Sequence, residues 1–481
     1  MTPGSPQNQP NVVFILSDDQ GPWAAGCYGN DEIRTPNIDR LAREGMRFEN
    51  AFCTSPVCSP SRASYLTGKL PSQHGVHDYI RRGNVAAGKG YREEAQESSW
   101  PAIPYLEEFD TYTDILSENG YDCGLSGKWH LGQSETPQHG FDHWFVHQKG
   151  GGPYYGAPVI REGNHVNESS YITDAFTDEA LNFIEAMNDP FYLGVHYTAP
   201  HAPWTKSGLA KNQHPEEITE LYDDCPFKSC PQEAMHPDAI ELTERCMGDR
   251  ESLKGYFAAI TAMDRQIGRI LDKLDEIGIR DETLVIFTSD NGFSCGQNGF
   301  WGKGNGTYPF NMYENSVKVP FIASHPARIP RGEVSEELIS GYDLMPTLLD
   351  YLGLPMPNDG PYPGTSQVSV LEGEDQSVRH QIVVHSEYGN SRMIRTGKWK
   401  YVHRYPDGPH QLFNLEEDPE ERTNLLRENK NIEMANRLRK ELINWFAEYV
   451  VPERDGTRFP VTGGGQQTRI SEENPGETSF R

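Results

Sequence analysis

The sequence predicts an α/β fold: a large, mainly parallel mixed sheet sandwiched by helices, with a smaller C-terminal α+β domain carrying an antiparallel sheet. Three observations predict it. Short apolar runs alternate with helical segments along the first 350 residues, the order that builds a parallel sheet covered on both faces. Almost every one of those runs ends in chemically capable residues. Beyond about residue 360 the texture changes to hairpin-forming runs followed by one amphipathic helix.

The elements follow in order. "NVVFILSDDQ" is a buried-strand run closed by Asp18 and Asp19. "TPNIDRLAREGMRF" opens a helix with Thr35 as N-cap and Pro36 at the first helical position, and Gly45 stops it. A helix over Thr113 to Asn119 precedes the strand "YDCGLSG" and then "KWHLG", and residues 170 to 188 form a helix before "FYLGVHYTAPHAP". In 250 to 277, Leu253, Phe257, Ile260, Met263, Ile267, Ile270 and Leu274 share one helical face, and the strand "TLVIFTSDNG" follows. After the linker-like "GPYPGTSQ" come "HQIVVHSEY", "SRMIRTGKWKYVHRY" and "HQLFNL" as strands. A helix at 432 to 449 then spaces Leu438, Leu442, Trp445 and Phe446 on one side. The expected organisation is a catalytic α/β domain over 1–365 with an insertion at 205–250, a subdomain over 366–450, and an extended tail over 451–481.

Composition narrows the class. A chain of 481 residues is too long for one ordinary core. With 43 Lys and Arg against 70 Asp and Glu, the net charge of -27 has the wrong sign for attraction to nucleic acid or an anionic membrane. An anionic substrate would therefore need a local basic pocket. No apolar run reaches the roughly 18 residues that span a bilayer. "MTPGSPQNQP" lacks the basic and apolar regions of a signal peptide, and periplasmic, secreted and cytoplasmic locations all stay open. Eight cysteines are too few for a disulfide scaffold, although Cys225, Cys230 and Cys246 cluster closely enough for a local disulfide in an exported protein.

The polar strand tips are Asp18 and Asp19, Lys128 and His130, His201, and Asp290 and Asn291. In open α/β sheets ligands bind beyond the carboxyl ends of the strands, so these groups are expected to converge. Elsewhere, "SPVCSPSRASYLTGKLPSQHG" places Cys58 at a helix start, with Ser59 expected as N-cap and Pro60 as the first helical residue. Free amides and the helix dipole there favour an anion, and Arg62 lies one turn further along the same face.

"CSPSRASYLTG" resembles the signature of the type I (formylglycine-dependent) sulfatases of the alkaline phosphatase superfamily: cysteine-x-proline-x-arginine, continuing to a glycine. "SDDQ", "GKWHLG", "PHAP", "SDNG", "WGKGNGTYPFNMYENSVKVP" and "GYDLMPTLLDYLGL" resemble further parts of that family's pattern, in its order, and "IRTGKWKYV" with "LFNLEEDPEERTNL" resembles its C-terminal subdomain. The resemblance spans residues 11 to about 427. It implies a sulfuric ester hydrolase in which a formylglycine-generating enzyme converts Cys58 into the nucleophile. It also implies a calcium ion held by Asp18, Asp19, Asp290 and Asn291, with the residue-58 side chain completing the shell. Asp290 would assist attack on sulfur, Arg62, Lys128 and Lys303 would neutralise the sulfate, His201 and Lys303 would help the alcohol leave, and His130 would take the proton that expels sulfate. The residues agree with a hard divalent cation, because oxygen donors suit calcium or magnesium and three carboxylates buried together without a cation would be costly.

The substrate is expected to be a sulfated small molecule or saccharide. His77, Arg81 and Trp301 are expected to line its pocket, with His74, Asp78 and Arg82 in the same loop and Trp129 and Trp204 as further candidates for stacking on a sugar ring. Two alternatives stay open: a phosphonate monoester or phosphodiester hydrolase of the same superfamily, and a non-catalytic anion-binding protein that keeps Cys58 unmodified. Oligomeric state is not legible.

Overall fold

The structure is a computed structural model that describes residues 9–86, 101–187, 190–205, 213–374, 378–386, 388–428, 430–459, 464–471 and 479. The strands are β1 (Asn11–Ser17), β2 (Met46–Phe52), β3 (Asp122–Lys128), β4 (His143–His147), β5 (Ala157–Arg161), β6 (Asn164–Glu168), β7 (Phe191–His196), β8 (Thr283–Ser289), β9 (Ser294–Cys295), β10 (Trp301–Gly302), β11 (Phe321–Ser324) and β12 (Glu333–Ser340). All but β9 and β10 form one sheet in the order β12-β2-β11-β8-β1-β7-β3-β4-β5-β6. Its centre, β8-β1-β7-β3-β4, is parallel throughout. Antiparallel pairs appear toward the edges, at β11 with β8 and β2 and along β4-β5-β6.

The two-residue period of β1 divides the core. Val12, Phe14 and Leu16 face a layer holding Ala63, Tyr65 and Leu66 of the Cys58–Thr67 helix and Leu344, Met345 and Leu348 of the Leu344–Tyr351 helix. Val13 and Ile15 face the Ile172–Ala186 and Arg250–Glu276 helices, through Phe176 and Ala180 on one and Met263, Ile267 and Ile270 on the other. Each buried Val, Leu, Ile, Phe or Met among them contributes about 1.5–3 kcal/mol to folding. The parallel register sets Ser17 beside Ser289 and Gly127 beside His196, so the chain leaves β1, β8, β3 and β7 at one edge of the sheet.

The C-terminal unit is a meander, β13 (Gln381–Ser386), β14 (Ser391–Thr396), β15 (Trp399–Arg404) and β16 (Gln411–Asn414), antiparallel throughout. The helix Ile432–Tyr449 buries Ala435, Leu438, Leu442 and Phe446 against Val383, Ile394, Tyr401 and Leu412. Ile382, Val384, Met393 and Val402 join the core of the large sheet instead, and Lys400 is buried between Glu314, at 2.9 Å, and Glu421, at 2.7 Å. The smaller sheet is thus bonded to the larger unit by apolar contact and by charge.

One expectation is corrected here, and one open possibility is decided. The helix begins at Cys58 itself, after an extended Val57, and Ser59 lies inside it, donating to the His130 carbonyl at 2.9 Å instead of capping. Cys225, Cys230 and Cys246 are separate free thiols; Cys230 and Cys246 pack with Cys295 among Trp204, Phe227 and Trp301 and form no local disulfide. Among the described residues, no helix is long and apolar enough to cross a membrane.

Candidate active site

The edge where the four strands end gathers ten of the expected residues: Asp18, Asp19, Cys58, Arg62, Lys128, His130, His201, Asp290, Asn291 and Lys303. Sharp turns bring them there. Asp19 (φ 71°) and His130 (φ 56°) both occupy the left-handed region, a conformation that costs a non-glycine residue on the order of 1–3 kcal/mol and persists where its surroundings hold it. Around Asp19 those surroundings are the Tyr256 hydroxyl, which donates to its carbonyl at 2.9 Å, and Asp290 Oδ1, which accepts from its amide at 3.2 Å. For His130 they are the Ser59 hydroxyl on its carbonyl and the Ile80 carbonyl, 3.1 Å from Nε2.

Each buried carboxylate has its own cation. Lys128 Nζ lies 2.6 Å from Asp18 Oδ2, Lys303 Nζ 2.5 Å from Asp19 Oδ1, and Arg62 Nε 2.8 Å from Asp290 Oδ2. Burial pushes all three acids toward their protonated forms, but the outcome differs. At Asp290, Arg62, Lys128 and Lys303 outweigh burial and hold the carboxyl far below its usual range. At Asp19, Lys303 and His201 likewise win, whereas burial and the neighbouring Asp290 leave Asp18 raised. Burial and the Lys128 and Arg62 charges push His130 well down, so its imidazole is neutral at pH 7. The Ile80 carbonyl can only accept, which places the proton on Nε2 and the lone pair on Nδ1, a buried atom with no protein partner.

Cys58 Sγ lies 2.7 Å from Lys303 Nζ and 3.5 Å from Asp18 Oδ1. A helix start by itself would lower a thiol's pKa; burial dominates here and pushes Cys58 up to about 12, against the pull of Lys128 and Lys303. Ligand atoms of Asp18, Asp19, Cys58 and Asp290 all fall within 4.8 Å of one another. Beside them Asn291 donates Nδ2 to Asp19 at 2.8 Å, while its Oδ1 is buried without a donor. Four side chains offering hard oxygen, one of them with an unused buried carbonyl, fit a calcium-sized or magnesium-sized ion. Arg62 Nη2 is likewise buried with no acceptor, on the guanidinium whose Nε bonds Asp290.

A cavity of about 510 Å³ opens above Cys58, His130, His201 and Lys303. Of the residues expected to bind substrate, Arg81 lines it, and His77 and Trp301 do not. The His77 ring is turned to the Arg454 carbonyl at 2.9 Å, and His77 is 1% exposed. Trp301 is fully buried 5.5 Å from Trp204, and Trp129 packs 5.3 Å from Trp144; none of these rings lines the cavity over Cys58. His74 bonds Ser64, inside the protein. The site also holds residues that sequence reasoning missed: Tyr79, Asn84, Lys149, Gly150 and Gly151. A Cβ on Gly150 would come within 2.2 Å of the His130 ring, and one on Gly151 within 3.0 Å of His201. The run "KGGGP" directly after β4 was the available signal.

The sulfatase family model matches residues 10–354, and the model of the N-sulphoglucosamine sulphohydrolase C-terminal region matches 307–448. An N-acetylglucosamine-6-O-sulfatase of Bacteroides thetaiotaomicron is 29% identical, over 87% of this chain and 82% of its own. An N-acetylgalactosamine-6-sulfatase of Canis lupus familiaris is 32% identical, over 77% of this chain and 67% of its own. A solved structure described as a complex with its substrate D-glucosamine-2-N,6-O-disulfate superposes with a TM-score of 0.76 at 26% identity, covering 94% of this chain and all of that one. With the strand-end cluster, the C-x-P-x-R helix and a family match across most of its length, the chain belongs to the sulfatase family and is a sulfuric ester hydrolase.

Proposed function

We propose that the protein hydrolyses a sulfate monoester on a sulfated carbohydrate, with formylglycine at position 58 and calcium as its cofactors. One observation carries this reading: residue 58 stands at the head of a helix inside a cage of three acids and three cations, with Arg62 Nη2 and Asn291 Oδ1 still unused. Two of the relatives are named as sulfatases of amino sugars and one solved structure holds a disulfated glucosamine as its substrate, which supports the carbohydrate class.

Asp18, Asp19, Asp290 and Asn291 would hold the ion, which supplies fixed positive charge beside the sulfate. A formylglycine made from Cys58 by a formylglycine-generating enzyme would supply, as its hydrate, two hydroxyls on one carbon at the head of the helix, one of them the nucleophile. The chain's own groups do the rest. Asp290, kept ionised by Arg62, accepts a proton from the attacking side. Arg62, Lys128 and Lys303 donate to the sulfate oxygens, where negative charge grows in the transition state. His201, through Nε2, and Lys303, through Nζ, face the departing alcohol oxygen, and His130 accepts a proton at Nδ1 when sulfate leaves.

The test is sulfate release from defined sulfated sugars by protein co-expressed with the maturing enzyme, alongside peptide mass spectrometry of the segment containing residue 58. Active preparations are expected to carry a residue 58 lighter than cysteine and to lose activity in Cys58→Ala. Full turnover by protein with wholly unmodified Cys58 overturns the nucleophile. Preference for a phosphonate monoester over every sulfated sugar overturns the substrate class.

A further inference from the structure

The floor of the pocket is balanced in charge, three carboxylates against Arg62, Lys128 and Lys303. Two more cations, Arg81 and Lys149, line the same cavity above the histidines. Neither forms an ion pair among the described residues. On a chain of net charge -27 with 70 acidic side chains, two unpaired cations on one cavity wall are a local reversal of sign.

Their positions are built. The Arg81 amide donates to the Gln466 carbonyl at 2.9 Å, the Gln466 amide donates to the Tyr79 carbonyl at 2.8 Å, and Arg81 Nη1 reaches the Gly464 carbonyl at 3.3 Å. Gln466 is fully buried, and its side chain accepts from the His77 amide and donates to the Gly75 carbonyl, both at 2.9 Å. The C-terminal segment therefore clamps the 75–81 wall, and Arg81, held on it, lines the cavity. Lys149 is carried by the loop whose next two residues, Gly150 and Gly151, lie against His130 and His201.

We propose that Arg81 and Lys149 form a second anion subsite, so that the preferred substrate is a multiply anionic saccharide bearing a further sulfate or carboxylate near the ester that is cleaved. The inference rests on the sulfatase reading of the floor and specifies its substrate. Arg81 offers a planar fork suited to an oxyanion and Lys149 a point charge. A charge-assisted contact of this kind is worth about tenfold in affinity each.

The experiment compares kcat/KM of the matured enzyme on one sulfated sugar in three forms: with no other charge, with a second sulfate, and with a neighbouring uronate carboxylate. At least one doubly charged form is expected to be preferred by tenfold or more, with the preference shrinking as salt is raised. Which form wins assigns the second anion as sulfate or carboxylate. Arg81→Ala and Lys149→Ala should each lower the doubly-to-singly charged ratio, mainly through KM, and Arg81→Lys should restore part of it. Gln466→Ala, which removes the side-chain bonds to His77 and Gly75 but keeps the backbone bonds to Tyr79 and Arg81 and both cations, should lower the ratio less than Arg81→Ala. Equal kcat/KM on all three forms overturns the subsite while leaving the sulfatase reading intact, as does a ratio unchanged in the Arg81→Ala/Lys149→Ala double variant. Hydrolysis of none of the three overturns both.

Discussion

Replacing Arg62 by Met keeps the length of its stem and removes its charge. Arg62 and Asp290 are 2% and 0% exposed in their side chains and bonded at 2.8 Å, so the variant leaves Asp290 buried without its nearest cation. Breaking a buried pair by removing one partner costs about 3–5 kcal/mol, and the Lys128 carbonyl, bonded to Arg62 Nη1 at 3.0 Å, loses a donor worth about 1 kcal/mol more. Lys128 and Lys303 take up some of the orphaned charge, which sets the expected loss near 3–5 kcal/mol. With an unfolding entropy of about 2.1 cal/mol/K per residue, a chain of this length shifts by about 1 °C per kcal/mol, giving a Tm lower by about 3–5 °C. The assay is thermal unfolding followed by circular dichroism at one scan rate, with a chelator present so that bound metal does not contribute. The double variant Arg62→Met/Asp290→Asn should recover most of the loss, because no uncompensated charge remains. A single variant melting within 2 °C of the parent, or a double variant losing the sum of the two single effects, would refute the reasoning.

Two further outcomes are expected. Gly150→Ala places a methyl group where the His130 ring now stands, at 2.2 Å, so turnover should fall by about tenfold to a hundredfold with Tm changed by at most a few degrees; unchanged kcat would show that the loop does not position His130. Burial pushes the pKa of Asp78 up to about 8, only partly offset by the Tyr79 amide and Lys303. A raised carboxyl favours folding in its protonated form, so that contribution is complete below its unfolded pKa near 4 and is lost as pH rises through 8. Thermal scans at pH 5 and pH 8 should show Asp78→Asn gaining on the parent as pH rises; a constant difference would place the Asp78 charge in solvent.

The parallel centre of the sheet was legible because its strands are buried on both faces and read as continuous apolar runs, "NVVFIL" and "LVIF" among them. The edge strands were not. The β5–β6 hairpin, "APVIR" and "NHVNE", is half exposed, and its pairing with β4 depends on tertiary contact that short, mixed runs do not announce. The catalytic cluster was legible for a related reason. Consecutive parallel strands end on one edge, so Asp18, Lys128, His201 and Asp290 were bound to meet once the parallel order was recognised.

By itself the sequence determined the layered α/β class, the strand tips that carry chemistry, and the cysteine-proline-arginine helix, all of which are patterns contained in short windows of the chain. Only the tertiary structure decided which lysine faces which aspartate, that Cys58 is held protonated by burial and not activated by its helix, and that Trp301 and His77 turn away from the cavity. It also brought Gln466 against Tyr79 and Arg81. These outcomes depend on distances between residues that lie hundreds of positions apart in the chain. Coulomb energy, desolvation and steric exclusion act through space, and no short window of sequence contains the distance on which they depend.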